Sequence, residues 1–299
     1  VSPWDQAARS RFTTEDGTVL HVVDEGPADA PVTLVLVHAW TLDHTTWDRV
    51  ADGLGGSVRV LRYDHRGHGG SAPSPEGTAR IEQLADDLAE LLADRVPTGR
   101  VVLAGHSIGG MTIMALAERH PELVADRVSA VAFVATSCGD LRTLRLGLPR
   151  PVAALVMRGE QVVNRKLAKL PHKVMLRRTA GIRPGVRWLL FGADPDWRDV
   201  ASAAEQFGRC HPQTLVGLRT SLAEHERRQA LAAYRDVPVL VLAGGADRLT
   251  TVPHAKVIAR ELPDAELVIY PGAGHMVPVE RGTEVTARLA ALVERVAKR

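Results

Sequence analysis

Aromatic side chains are scarce: 4% of the 299 residues are Phe, Trp or Tyr. The interior must therefore rest mainly on Val, Leu, Ala and Ile. Cysteine is scarcer still, with Cys138 and Cys210 alone. Two cysteines in a chain this long make no disulfide framework and point to a reducing compartment. Charge of either sign is not in surplus. The 37 Lys and Arg stand against 35 Asp and Glu, a formal net charge of +2, which gives no electrostatic reason to expect nucleic acid. No apolar run approaches the ~20 residues of a membrane-crossing helix. The opening residues Val1-Ser2-Pro3-Trp4-Asp5 hold no apolar leader core, so a cytoplasmic location is the expectation. A removed leader stays open, because the chain does not begin with Met. The glycine-rich pieces carry neither the Walker lysine nor the dinucleotide fingerprint, and no His, Cys or carboxylate set has metal-ligand spacing. The expectation is no cofactor and no metal. What remains is a chain of ordinary globular composition, long enough for one large α/β domain or two small ones.

Apolar runs and helix-periodic segments alternate along it. Residues 19–24, 32–37, 58–63, 100–104 and 128–135 read as strands, and 32–37 is a continuous apolar run but for Thr33, as expected of a strand buried on both faces. Between them, 44–54 reads as a short helix, 81–96 as a helix with apolar residues on one face, and 111–120 as an amphipathic helix. The alternation resumes near the end, with strands at 237–243 and 265–270 and helices at 253–261 and 280–296. Such alternation predicts a mostly parallel sheet with helices on both faces.

The pattern breaks between 141 and 235. Helical segments are expected there around 152–170, 173–180 and 213–234, punctuated by Pro149, Pro151, Pro171, Pro184, Pro195 and Pro212. The stretch holds 18 Lys and Arg against 7 Asp and Glu. The expected organisation is a core domain of 1–140 and 236–299, interrupted by an inserted helical cap, or lid, at 141–235. Ligands of open α/β sheets bind beyond the carboxyl ends of the strands, where such an insertion would sit. Its positive charge would suit an anionic or carrier-bound acyl group; a solvated arginine-rich surface is the plainer reading.

The chemistry centres on Gly105-His106-Ser107-Ile108-Gly109-Gly110. This piece follows the apolar run Val101-Val102-Leu103-Ala104 and precedes a helix. A serine in such a turn projects its hydroxyl from the end of a sheet, and Gly105 and Gly109 keep the turn uncrowded. A serine nucleophile needs a base, and the base needs an orienting acid. His275 follows the last expected strand in Tyr270-Pro271-Gly272-Ala273-Gly274-His275, at the same sheet edge as Ser107. Asp247 follows the strand before it, after Gly244-Gly245-Ala246. Asp140 is the rival acid. His38 and His106 read as hydrogen-bonded scaffolding.

The order Ser107, Asp247, His275 and five further matches together resemble the α/β-hydrolase superfamily, over nearly the whole chain outside the insertion. The matches are Leu36-Val37-His38-Ala39-Trp40, Tyr63-Asp64-His65-Arg66-Gly67-His68-Gly69-Gly70-Ser71, the serine turn, Gly244-Gly245-Ala246-Asp247 and Gly272-Ala273-Gly274-His275. The resemblance implies an eight-stranded, mostly parallel sheet with the lid inserted after the sixth strand. It implies that the Trp40 and Ile108 amides form the oxyanion hole and that 64–71 is a structural turn. Ala39 stands where glycine is usual, which would strain the loop if that position needs a left-handed backbone. The implied activity is a serine esterase, lactonase or thioesterase acting on a small to medium ester-like substrate. A cofactor-free perhydrolase of the haloperoxidase-like group and a C–C bond hydrolase share the same triad. A ligand receptor without turnover is the alternative outside enzymes. An aspartate at the serine's place would have made an epoxide hydrolase or dehalogenase; Ser107 excludes that route.

Overall fold

A computed structural model describes residues 8–141, 158–159, 169 and 178–299. Eight strands form one sheet: β1 (Ala8–Thr13), β2 (Val19–Glu25), β3 (Val32–Val37), β4 (Arg59–Tyr63), β5 (Arg100–His106), β6 (Val128–Val134), β7 (Val239–Gly244) and β8 (Glu266–Tyr270). Their order across the sheet is β1-β2-β4-β3-β5-β6-β7-β8. Pairing is antiparallel from β1 to β2 and from β2 to β4, and parallel from there on. The helices are α1 (Asp48–Leu54), α2 (Ile81–Arg95), α3 (Ile108–Arg119), α4 (Pro121–Arg127), α5 (Arg183–Leu190), α6 (Trp197–Arg209), α7 (Pro212–Glu224), α8 (Val252–Glu261), α9 (Val277–Glu280) and α10 (Gly282–Ala297).

All six residues of β3 are buried. Side chains alternate across a strand, so Val35 and Val37 join the core under α2 and α3, with Leu84, Leu88, Met111 and Met114. Leu34 and Leu36 join the opposite core under α1 and α10, with Val50, Leu54, Leu289 and Val293. Covering both faces explains why the run is apolar but for the buried Thr33. Parallel pairing then brings the carboxyl ends of β3, β5, β6, β7 and β8 to one edge.

The expected strands are all present within a residue or two. The eighth is β1, whose sequence Ala-Arg-Ser-Arg-Phe-Thr carries little apolar signal because it lies at the sheet edge. Four helical expectations need correction. The segment 44–54 opens with a 3-10 turn, His44–Trp47, before α1. α3 begins at Ile108, directly after the serine. The helix expected over 213–234 is α7 followed by a separate 3-10 helix, Gln229–Tyr234, because the chain turns extended at His225. The terminal helix is two pieces, broken at Arg281 (φ −131°, ψ 36°). The helices expected at 152–170 and 173–180 lie almost wholly outside the described residues. α5 and α6 lie between β6 and β7 in sequence, and the expectations had not resolved them. Residues toward the end of that stretch pack into the main core: Leu218, Leu231 and Tyr234 are all buried there, and the Tyr234 hydroxyl donates to the Ile113 carbonyl at 2.6 Å. Among the described residues, no helix is long and apolar enough to cross a membrane.

Candidate active site

Ser107 sits between the last residue of β5 and the first of α3 with φ 54° and ψ −114°. A left-handed serine costs of order 1–3 kcal/mol and persists only where its surroundings impose it. Here they do. The Ser107 amide donates to the Val134 carbonyl at 2.9 Å. Its carbonyl accepts from the Gly110 amide at 2.9 Å and from the Thr136 hydroxyl at 2.6 Å. A side chain on Gly105 would run into the backbone of Gly109 and Gly110, and one on Gly109 into the Val37 carbonyl. The helix therefore approaches the sheet as closely as backbone allows, and Ser107 is left half-buried at the strand end.

The expected acid and base, Asp247 and His275, meet because their strands are neighbours. Gly244 of β7 pairs with Tyr270 of β8, and beyond them the Gly245 amide donates to the Tyr270 carbonyl and the Ala246 amide to the Ala273 carbonyl, both at 2.8 Å. This brings His275 Nδ1 to 2.8 Å from Asp247 Oδ2. The Thr250 hydroxyl donates to the same oxygen at 2.8 Å, and the Leu249 and Thr250 amides donate to Oδ1 at 2.7 and 3.1 Å. Burial pushes the Asp247 carboxyl up, but the charge and hydrogen bond of His275, with these donors, bring it below its ordinary value. An ionised Asp247 requires the hydrogen of His275 on Nδ1, which leaves Nε2 as the free base. The rival Asp140 is exposed, and its amide bonds Glu226.

His106 lies against His275, ring centroids 5.0 Å apart. Its Nε2–H donates to the His275 carbonyl at 2.8 Å. Burial and the neighbouring His275 pull its pKa down to about 3, so it stays neutral. A second brace comes from a distant part of the chain. The Leu190 carbonyl, at the end of α5, accepts the His275 amide at 2.7 Å and the Met276 amide at 3.1 Å. Glu280 bridges the same two segments, accepting the Gly274 amide on one oxygen at 2.9 Å and the Gly192 amide on the other at 2.8 Å. A small apolar cluster joins them to the loop after β3: Phe191, Val186 and Val200 pack with Ala39, Leu42 and Met276. Thr250, Leu190 and Glu280 were missed by sequence reasoning. Thr250 carries only the faint signal of a hydroxyl three residues past the acid; the other two carry none.

The loop after β3 holds Trp40, half-buried and packed against the core that contains β3. Among the described residues, neither the Trp40 nor the Ile108 backbone amide donates to a protein acceptor. Ala39 is not left-handed; the positive φ of this loop falls on Thr41, at 68°. The alanine is therefore accommodated without the strain expected of it.

One further group brings three atoms of metal-ligating kind within 4.8 Å of one another, from His21, His44 and Asp64. Asp64 is buried and already accepts from the His44 amide (2.8 Å), His44 Nδ1 (2.7 Å) and the Gly70 amide (2.8 Å). Its oxygens hold the turn 64–71 against the loop before α1.

A family model described as the alpha/beta hydrolase family matches residues 34–289, and the chain belongs to that family. It is an enzyme, a hydrolase by its relatives. It is 31% identical over 251 residues to a pimeloyl-[acyl-carrier protein] methyl ester esterase of Chromobacterium violaceum, covering 81% of this chain and 86% of that protein. It is 26% identical over 284 residues to a bifunctional esterase/perhydrolase of Acinetobacter calcoaceticus, covering 94% and 98%. Among solved structures, the enol-lactonase from Burkholderia xenovorans superposes with a TM-score of 0.76 at 25% identity, covering 95% of this chain and 100% of that one.

Proposed function

We propose that this hydrolase cleaves a carboxylic ester, lactone or thioester of a small to medium organic acid through an acyl-enzyme on Ser107. The observation that carries the reading is the His275–Asp247 contact of 2.8 Å, made at the sheet edge where Ser107 is held in its strained turn. Ser107 Oγ attacks the carbonyl carbon and gives its proton to His275 Nε2. The oxyanion accepts from the Trp40 and Ile108 amides, donors that need no reorganisation as charge develops. His275 then protonates the leaving alcohol or thiol. Water, deprotonated by the same nitrogen, attacks the acyl-enzyme and releases the acid. No step calls for a cofactor.

The cap in this reading is the part of 141–235 that includes α5 and α6, with α5 braced on the histidine loop through Leu190, while the 3-10 helix Gln229–Tyr234 at the end of the stretch belongs to the main core. A carrier-bound acyl group is one candidate substrate. The Chromobacterium relative is named for one, and the cap sequence carries the chain's positive excess. Perhydrolysis is the second reading, favoured by the Acinetobacter relative; peroxide would replace water at the acyl-enzyme.

The test is hydrolysis of p-nitrophenyl esters, acetate to decanoate, by wild type and Ser107→Ala, with peroxide present in a parallel series and products separated by chromatography. Wild-type turnover should fall by at least about a thousandfold in Ser107→Ala. A fluorophosphonate should label wild type and not the variant. Equal turnover of the two proteins would overturn the serine mechanism. Peracid as the main product would favour the second reading.

A further inference from the structure

Trp40 lies between two peptide planes that are each held by hydrogen bonds, the first from within its own loop and the second from His68 in the turn after β4. The Ala39–Trp40 peptide presents the Ala39 carbonyl at one end and the Trp40 N–H at the other. A peptide unit is planar, so fixing its carbonyl aims its N–H. The Ala39 carbonyl accepts His38 Nδ1–H at 2.8 Å and the Leu42 amide at 3.1 Å. The next plane, Trp40–Thr41, is held by its N–H instead, which donates to His68 Nε2 at 3.2 Å. Thr41 has φ 68°, a left-handed conformation that a β-branched residue rarely adopts. Such a residue stays in place only where its surroundings over-determine it.

The tautomers follow from the partners, because a backbone amide only donates and a carbonyl only accepts. His38 carries its hydrogen on Nδ1, and its Nε2 accepts the His65 amide at 2.8 Å. His68 carries its hydrogen on Nδ1, which donates to the Arg66 carbonyl at 3.0 Å, and keeps the Nε2 lone pair for Thr41. His65 closes the set by donating Nε2–H to the His38 carbonyl at 3.2 Å. All three rings are buried, with centroids 4.3 to 6.1 Å apart. Burial pulls each below the ordinary histidine value, His65 to about 3, and only neutral rings can keep these donor and acceptor roles.

We propose that His38 and His68 are positioning residues for the Trp40 oxyanion donor, one holding the peptide plane before it as a donor and the other the plane after it as an acceptor. The inference rests on the ester-hydrolase reading above. The oxyanion exists in the transition state and not in the bound substrate, so an amide aimed wrongly lowers kcat and leaves KM nearly unchanged.

His68→Gln puts an amide oxygen about where Nε2 lies, and His68→Ala removes the acceptor. Both are compared with wild type and Ser107→Ala on the p-nitrophenyl ester that wild type prefers. The expected kcat of His68→Ala is about 10- to 100-fold down with KM within about threefold, and His68→Gln should recover to within about fivefold of wild type. A boronic acid, which forms a tetrahedral adduct on the serine, should lose affinity for His68→Ala by the factor that kcat/KM loses. An unimpaired His68→Ala, or a His68→Gln as poor as the alanine, would overturn the inference. Should His68→Ala fail to fold, 15N spectra of wild type decide. The Nδ1–H form at both His38 and His68 supports it, and an Nε2–H form at His68 overturns it. A dead Ser107→Ala beside an unimpaired His68→Ala removes the inference alone, whereas turnover surviving in Ser107→Ala removes the serine mechanism and the inference together.

Discussion

Every group that touches the Asp247 carboxylate is a donor: His275 Nδ1 and the Thr250 hydroxyl on one oxygen, the Leu249 and Thr250 amides on the other. Asparagine in its place must turn its NH2 toward one side. Facing two backbone amides leaves both unpaired, so the NH2 will face His275, while the Thr250 hydroxyl can rotate to accept. His275 must then accept at Nδ1 and carry its hydrogen on Nε2, the nitrogen that should be the base. Asp247→Asn is therefore expected to lower kcat by about 10⁴-fold with little change in melting temperature. Steady-state kinetics beside a thermal melt check this, and wild-type kcat would show that Asp247 does not set the tautomer.

Between elements, the unusual feature is that His275 is braced by the end of α5 and the residues just after it as well as by its own sheet. Leu190 takes its amide, and Glu280 ties Gly274 to Gly192. The backbones are so close that a side chain on Gly274 would meet Phe191, and one on Gly192 would meet the Gly272 carbonyl. Glu280→Gln keeps one acceptor but sets an NH2 against the second amide. A buried donor left unpaired costs about 1–3 kcal/mol. The expected outcome is a kcat lower by about tenfold together with a reduced melting temperature. Kinetics indistinguishable from wild type would mean that the base is held well enough without this tie.

Across the fold, acid sensitivity should follow from buried and, at His21, half-buried histidines held neutral. His21, His38, His65, His68, His106 and His225 all have pKa values lowered first by burial, His65 and His106 to about 3 and His225 to about 4. In the unfolded chain they titrate near about 6.5. Below that pH the unfolded state binds more protons than the folded one, so stability falls as pH falls. The stabilisation is complete above about 6.5 and is lost progressively toward the folded values, by at most about 1.4 kcal/mol per pH unit for each histidine. Asp64, held below the carboxylate range by His44 and the Gly70 amide despite its burial, adds a loss of the same sign at lower pH. Denaturant midpoints measured from pH 7.5 to 4 should therefore drop steeply below about 6.5. A flat profile there would contradict the neutral, buried assignment.

Much of this was legible without coordinates, for physical reasons. A strand covered on both faces must be apolar at nearly every position, so β3, β5, β6 and β7 stand out as runs. A serine in a left-handed turn between strand and helix needs small neighbours, so Gly105 and Gly109 mark Ser107. Loops at strand ends advertise Asp247 and His275 by position. What lay hidden depends on contacts between distant segments. β1 is an edge strand with little burial to write into its residues. Leu190 acts through its carbonyl, which every residue has, and Glu280 looks like any acid near a helix. The role of His68 depends on an amide 27 residues away. Apolar runs and helical periodicity thus determined most of the sheet and the outline of its flanking helices, and the glycine-flanked serine and the loops at strand ends marked the candidate residues for chemistry. Only folding decided which polar groups meet, because a hydrogen bond depends on direction and distance in space, and neither is written in the local pattern of the chain.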